Sequence, residues 1–142
     1  NTHDMPPFAS FWQGLDIEER LGLHILDNAS AQSERKTRRA IKEDLVTFLY
    51  DKGWTSERIA DIRAVIKACL AFLSASRARV VLVNLEDLWL ETQPQNVPST
   101  KGEYPNWRRK ARYSFEAFCQ MTRGLDILRL LDHLRKQGRH PL

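Results

Sequence analysis

The residues at the start of the chain are of the types that catalyse reactions. His3 and Asp4 are followed by Met-Pro-Pro in the stretch "THDMPP". Two prolines would end any preceding strand abruptly and hold both polar side chains at its tip, where catalytic groups lie in barrel enzymes. The aromatic residues that follow, Phe8, Phe11 and Trp12, could supply a stacking surface. The alternative interpretation is a chain end with a chance His-Asp pair.

A second unusual stretch, "YPNWRRKARY" over residues 104–113, combines three aromatic rings with a run of arginine and lysine. Cations at this density suit a nucleic-acid backbone, whereas aromatic faces suit an uncharged ligand such as a sugar. Trp107 is expected either to contact such a ligand directly or to pack under the adjoining loop. The net charge of +4 permits contact with polyanions without requiring it.

Other kinds of site find little support in the sequence. The four histidines are not spaced as metal ligands, and no glycine-rich phosphate loop is present, so no metal or cofactor is expected. Cys69 and Cys119 fall at apolar positions of helical patterns, which predicts buried free thiols in a reducing compartment. The longest apolar run is far shorter than a membrane span, and no charged leader precedes a hydrophobic stretch. A cytoplasmic protein is therefore predicted.

The hydrophobic periodicity predicts helices along most of the chain. The expected helix starts and stops are Asp16 (with Glu19 completing a capping box), Ser30, Gly53, Thr55 or Ser56, Ser114 and Gly138. The apolar run "VVLVNL", residues 80–85, is instead typical of a buried strand, and an ordered loop rich in proline is expected over residues 92–107. The predicted fold class is mainly α, with at least four helices and one main strand. Because a single strand cannot form a sheet, the chain is either a helical domain or, as the start without Met suggests, a fragment.

Three blocks of the sequence together resemble the C-terminal part of a 4-α-glucanotransferase (amylomaltase, glycoside hydrolase family 77) or a close α-amylase-family relative. They are "NTHDMPPFASFW", "VVLVNLEDLWLETQPQNVPST" and "EYPNWRRK", and the similarity runs from residue 1 to about residue 113. The resemblance implies that residues 1–142 are one segment, the C-terminal portion of a (β/α)8 catalytic barrel with the end of strand 7, helix 7, strand 8 and the last helix. Strand 8 would be "VVLVNLED", with Glu86 and Asp87 at its active-site end.

The resemblance also implies roles for individual residues. Asp4 matches the aspartate that stabilises the transition state, and His3 matches a histidine that hydrogen-bonds the same sugar ring. The implied substrate-binding residues are Asn96, Asn106, Trp107 and Arg108. The family usually has glycine at the position of Ser99, and glycine often marks a positive φ angle, so the backbone at Ser99 becomes a point to examine.

An enzyme of this kind transfers segments of an α-1,4-glucan or maltooligosaccharide through a covalent glycosyl-enzyme intermediate and needs no cofactor. A retaining mechanism requires a carboxylate nucleophile and a carboxylic acid. Both are expected on earlier strands, in an upstream barrel of the same polypeptide that this chain lacks. The isolated fragment is therefore expected to be inactive, and to self-associate through the uncovered edge of its strand.

Two further hypotheses belong to other functional classes. One is a basic helical nucleic-acid-binding module that uses "NWRRKARY" and "ERKTRRAIK", and the other is a helical interaction module without chemistry. Nucleic-acid binding would weaken steeply as salt is added, whereas glucan binding should hardly depend on salt. The His-Asp pair favours the enzyme hypothesis, because neither the nucleic-acid-binding module nor the interaction module requires it.

Overall fold

The chain is built from helices. A computed structural model describes residues 4–58 and 61–137, and within these ranges it contains seven helices and no strand. In chain order the helices are α1 (Phe8–Gln13), α2 (Leu15–Gly22), α3 (Asn28–Asp51), α4 (Ile62–Ser74), α5 (Leu85–Leu88), α6 (Phe115–Cys119) and α7 (Thr122–Gln137). None of the helices in these ranges combines the length and the apolar character that a bilayer span requires.

The predicted main strand is wrong. Residues 80–84 have no regular secondary structure, and Leu85 begins the short helix α5. Val80 and Leu82 are 72% and 86% exposed, so this apolar run is not a buried one. A strand needs a neighbour with which to exchange backbone hydrogen bonds, and the described ranges hold no second strand to supply it.

Because the predicted strand is not present, the assignment of the chain to part of a (β/α)8 barrel is wrong as well. At the expected end of strand 7, Asp4 and Met5 lie in a turn that leads to α1. Glu86 and Asp87, expected at the end of strand 8, lie in α5. The expected self-association depended on an uncovered strand edge, and no such edge exists among the described residues.

Turn and cap residues set the helix boundaries in the first half of the chain. Gly14, with a φ of 77°, ends α1 and is the N-cap of α2, so the predicted capping box at Asp16 and Glu19 is wrong and the N-cap lies two residues before the predicted one. The short helix α1 before it was not expected from the sequence pattern. The carboxylate of Asp27 accepts a hydrogen bond from the backbone N–H of Ser30 at 2.7 Å, which fits a start of α3 close to the predicted one. The predicted stop at Gly53 is confirmed, since α3 ends at Asp51 and Gly53 has a φ of 74°.

The described residues form two compact units, of which the first contains residues 4–45 and Leu90–Lys110. It comprises α1, α2, most of α3 and the predicted loop, and α1 packs against α2. Ala9, Ile17 and Ala31 are completely buried, and Val97 of the loop is 4% exposed. All the described residues of the predicted site belong to this unit.

The second unit contains residues 46–58, 61–89 and 111–137. Helices α4, α5 and α6 all contact α7. The approach between α6 and α7 is close at Gly124, because a Cβ there would lie 3.3 Å from the ring of Phe118. The buried face of α4 is made by Val65, Ile66, Ala68 and Ala71. This unit therefore has the ordinary core of a small helical bundle.

Capping side chains also define two helix starts in the second unit. The carboxylate of Asp61 accepts a hydrogen bond from the backbone N–H of Arg63 at 3.2 Å, so α4 begins at Ile62 and not at the predicted Thr55 or Ser56. The predicted cap at Ser114 is confirmed, because its hydroxyl accepts from the N–H of Ala117 at 3.2 Å.

The two cysteines of this unit are free, as predicted, but they differ in burial. Cys119 is exposed, contrary to the prediction, whereas Cys69 is half-buried. Burial raises the pKa of the Cys69 thiol to about 11. Cys69 is therefore a poor nucleophile at neutral pH.

Candidate functional site

The loop of the first unit is held together by the side chain of Asn106. Its Oδ1 accepts a hydrogen bond from the backbone N–H of Val97 at 2.9 Å, and its Nδ2 donates to the hydroxyl of Thr100 at 2.7 Å. That hydroxyl in turn donates to the carbonyl of Val97 at 2.7 Å. Both ends of the Asn106 amide are thus used to tie the two arms of the loop together.

A second set of contacts fixes the base of the same loop. The hydroxyl of Tyr104 donates to the carbonyl of Pro94 at 2.8 Å, and desolvation by burial raises the pKa of this tyrosine. The guanidinium of Arg109 donates to the carbonyls of Gln93 and Pro94. It also lies 3.6 Å from the carboxylate of Glu91, which is buried. The loop is therefore an ordered one, as the sequence predicts.

Within residues 92–107 of the loop, two residues have left-handed backbone conformations. Ser99 has a φ of 71° and Trp107 has a φ of 61°. The positive φ at Ser99 is the conformation that the glycine usual in the resembled family would suit best. The backbone N–H of Trp107 donates to the carbonyl of Gln95 at 2.8 Å, so the turn at this position is also held by a hydrogen bond.

The loop meets the start of the chain through a hydrogen bond between side chains. Nδ2 of Asn96 donates to Oδ1 of Asp4 at 2.6 Å. Both residues line a cavity of about 460 Å³, which is within the usual range for small-ligand sites. The polar or charged lining residues are Asp4, Asp16, Glu19, Arg20, Arg38, Asn96 and Ser99. The apolar ones are Met5, Pro6, Phe11, Ile25, Pro94, Val97 and Pro98.

The two cations of the cavity are paired with carboxylates. Arg38 donates to both oxygens of Asp16 at 2.8 and 2.9 Å. Its guanidinium also lies 3.7 Å from the centroid of the Phe11 ring. Arg20 donates to both oxygens of Glu34 and lies 3.6 Å from Asp16. Neither arginine is therefore available as the main partner of a negatively charged ligand.

One carboxylate of the cavity has an unusual pKa. Glu19 is half-buried, and desolvation raises its pKa, with a further upward contribution from the negative charge of Asp16. The positive charge of Arg109 opposes this increase.

Within the described part of the chain, no three of the His, Cys, Asp and Glu side chains are grouped so that they could hold a metal ion.

The structure brings together two of the predicted site residues, Asp4 and Asn96. Asn106 belongs to the same loop, but it is not among the described residues that line the cavity, and its amide is engaged within the loop. Trp107 is 59% exposed and Arg108 is also exposed, and neither is among the described lining residues. His3 lies outside the described residues.

Only one of the three predicted stacking residues reaches the cavity, and that is Phe11. Phe8 stacks on Trp12 with ring centroids 5.7 Å apart. The ammonium of Lys42 lies 4.6 Å from the centroid of the Trp12 ring. It also donates a hydrogen bond to the backbone carbonyl of Trp12 at 2.9 Å. These two rings therefore have a structural role in the described unit.

The sequence prediction missed the cavity residues contributed by α2 and α3. Asp16, Glu19 and Arg20 are spaced so that they share one face of a helix, but the spacing of Asp16 and Glu19 is also typical of a capping box. Arg38 lies in "ERKTRRAIK", the basic stretch of the nucleic-acid-binding hypothesis. Its pairing with Asp16, which is 22 residues away, has no signal in the sequence, because it depends on how the helices pack.

The sequence is similar to known proteins over most of its length. The sequence matches the profile of the family described as 4-alpha-glucanotransferase over residues 1–116. It is 31% identical over 108 residues to the 4-alpha-glucanotransferase of Mycobacterium tuberculosis, a match that covers 75% of this chain and 15% of that protein. It is 29% identical over 143 residues to the 4-alpha-glucanotransferase of Haemophilus influenzae, covering 89% of this chain and 20% of that protein. The chain therefore spans no more than 20% of the length of these relatives, and it belongs to the 4-α-glucanotransferase family, glycoside hydrolase family 77.

Proposed function

We propose that this chain is the C-terminal part of a longer 4-α-glucanotransferase, and that the cavity beside Asp4 binds an α-1,4-glucan or maltooligosaccharide. The observation that carries the proposal is the hydrogen bond from Asn96 to Asp4, which joins distant parts of the chain beside one cavity. Membership of the family supports the activity. The greater length of the relatives supports a longer polypeptide, of which this chain is one part.

The proposed reaction is glycosyl transfer with retention of configuration. A carboxylate nucleophile attacks the anomeric carbon while a carboxylic acid protonates the departing glycosidic oxygen. The covalent glycosyl-enzyme then reacts with the 4-hydroxyl of an acceptor glucan, and the nucleophile is released. We assign the nucleophile and the acid to the upstream part of the polypeptide. The isolated chain of 142 residues is accordingly inactive in this proposal.

Asp4 is proposed to stabilise the transition state. Its carboxylate accepts hydrogen bonds from hydroxyls of the sugar ring and offsets the positive charge of the oxocarbenium-like transition state. The hydrogen bond from Asn96 holds the carboxylate in one orientation. In the same proposal, His3 hydrogen-bonds the same sugar ring.

The remaining loop residues act on the substrate in two ways in this proposal. Asn106 acts by holding the loop in the conformation that presents Asn96, which its two hydrogen bonds support. Trp107 and Arg108 contact a longer glucan beside the cavity, which their exposure supports. A cytoplasmic location also belongs to the proposal, and the two free cysteines support it.

The charge of the cavity favours a sugar over a nucleic acid. Arg20 and Arg38 are paired with carboxylates, which leaves Asp4 and Glu19 as additional acidic groups in the lining. A phosphate backbone would be repelled by such a lining, whereas sugar hydroxyls can donate to it. The apolar wall provided by Ile25, Val97 and its neighbours suits the C–H faces of a sugar ring.

The proposal is tested by the substitution Asp4→Asn in the full-length enzyme. The variant retains an oxygen that can accept from Asn96, so the fold and most of the glucan binding should be kept. The loss of the negative charge should lower kcat by about a thousandfold, because the interaction is made mainly in the transition state. Disproportionation of maltotriose, followed by chromatography, measures this change.

A matched control for this test is Asp44→Asn on the exposed surface of α3. It makes the same chemical change away from the cavity lining and should leave kcat unchanged. Near-normal kcat in the Asp4→Asn variant would assign Asp4 to a structural role.

A further inference from the structure

The carboxylates around the cavity differ in what they already bind. Asp16 is buried, and both of its carboxylate oxygens accept hydrogen bonds from Arg38. Glu19 lies on the same helix and lines the same cavity. Within the described part of the chain, no side chain or backbone N–H donates a hydrogen bond to the Glu19 carboxylate. Glu19 is thus a half-buried acceptor in the cavity lining, and it has no hydrogen-bond donor among the described residues.

The surroundings of Glu19 oppose its charge. Burial and the nearby Asp16 raise the pKa of Glu19, so its ionised form is less favourable in the folded chain than in water. Arg109 reduces this effect, but its guanidinium already donates to the carbonyls of Gln93 and Pro94. A ligand that donates a hydrogen bond to Glu19 would relieve the unfavourable desolvation.

We propose that Glu19 is a substrate-binding residue of this cavity, which accepts a hydrogen bond from a hydroxyl of the glucan while Asp4 and Asn96 hold the neighbouring part of the sugar. The inference rests on the function proposed above. It adds a residue of α2 to a site that otherwise comes from the chain start and the loop.

The chemistry of the cavity fits an uncharged polyol. A hydrogen bond from a hydroxyl to a carboxylate is short and about twice as strong as one between neutral groups. Ile25 and Phe11 supply apolar surface on which the C–H groups of a sugar ring can lie. The arginines that could attract an anion are occupied by Asp16 and Glu34.

Glu19→Gln and Glu19→Ala test the proposal in the full-length enzyme. Glutamine keeps the size of the side chain and removes the charge, and we expect the Kd for maltooligosaccharides to rise about tenfold. Alanine removes the acceptor altogether and should raise the Kd further. Isothermal titration calorimetry measures the affinity, and thermal unfolding of each variant is followed in parallel.

The melting temperature separates a binding role from a structural one. Because the folded state disfavours the charge of Glu19, Glu19→Gln should unfold at the same temperature as the wild type or at a higher one. A structural role predicts that affinity and melting temperature fall together, and this result would overturn the proposal.

The matched control is Glu18→Gln. Glu18 is the neighbouring residue on α2, is exposed, and forms an ion pair with Arg35 at 2.8 Å outside the cavity lining. Its substitution should leave the Kd for maltooligosaccharides unchanged. An equal loss of affinity in the two variants would also contradict the specific role of Glu19.

The outcomes distinguish this proposal from the function on which it rests. If the wild-type enzyme binds glucan and Asp4→Asn lowers kcat, but Glu19→Gln binds like the wild type, only the role of Glu19 is overturned. If the wild-type enzyme binds no maltooligosaccharide, both proposals are overturned.

Discussion

A comparison of two irregular stretches, residues 80–84 and the loop of Leu90–Lys110, shows a difference in how their side chains are used. In the segment of residues 80–84, Val80 and Leu82 are exposed, and within the described part of the chain no backbone hydrogen bond involves residues 80–83. In the loop of Leu90–Lys110, Val97 is buried and Asn106, Tyr104 and Arg109 all bind main-chain groups. The difference shows that polar side chains can order an irregular backbone, whereas apolar side chains do so only where another surface covers them.

The comparison also explains where the fold could be predicted. Apolar and β-branched residues in succession are typical of a buried strand, but the pattern carries no information about whether a neighbouring strand is present. The loop is specified differently, because Asn106 and Thr100 are close in sequence to the backbone groups that they bind. Hydrogen bonds between residues that are close in the chain can be predicted from the sequence, whereas the pairing of distant segments cannot.

The largest expected effect is the loss of loop order in Asn106→Ala. The substitution leaves the buried N–H of Val97 without its acceptor and removes the donor to Thr100. We expect the free energy of unfolding to fall by about 3 kcal/mol. Urea denaturation of the chain measures the change.

The control for this prediction comes from the other irregular stretch. Asn84 follows residues 80–83, and its side chain accepts from the N–H of Glu86 at 3.4 Å, which is a long hydrogen bond. Asn84→Ala should cost less than about 1 kcal/mol. Equal losses in the two variants would remove the contrast between the stretches.

A smaller effect is expected from shortening one valine in each stretch. Val97→Ala removes buried methyl groups and should lower the free energy of unfolding by about 2 kcal/mol. Val80→Ala removes methyl groups that are already exposed, and the change should be within about 0.5 kcal/mol. The pair is measured by chemical denaturation, and a large loss in Val80→Ala would mean that the segment is covered in solution.

The smallest expected effect is a gain of stability in Ser99→Gly. A non-glycine residue with a φ of 71° is strained, and glycine adopts this conformation without a steric penalty. We expect the free energy of unfolding to rise by up to about 1 kcal/mol. The gain is limited because glycine also increases the entropy of the unfolded chain, which favours unfolding. Ser99→Ala keeps the strain and should produce no such gain in thermal unfolding. A destabilised Ser99→Gly variant would show that the serine side chain supports the loop.

The candidate site could be predicted in part. The resemblance of "THD" and "NVPST" to a known family predicts Asp4 and Asn96 as site residues, and the structure brings their side chains into contact. The contribution of Glu19 and Arg38 could not be predicted, because no periodicity connects α2 to a residue in the middle of α3. Arg38 lines the cavity only because the packing places it against Asp16.

The hydrogen bond between Asn96 and Asp4 joins residues that are 92 positions apart in the chain. Helices form quickly from local contacts, whereas a contact across so long a stretch forms only after the entropy of the intervening chain has been lost. We therefore expect the contact between Asn96 and Asp4 to form late in folding. A substitution that weakens the loop should break this contact while most of the helices, and hence the far-ultraviolet circular dichroism, remain unchanged.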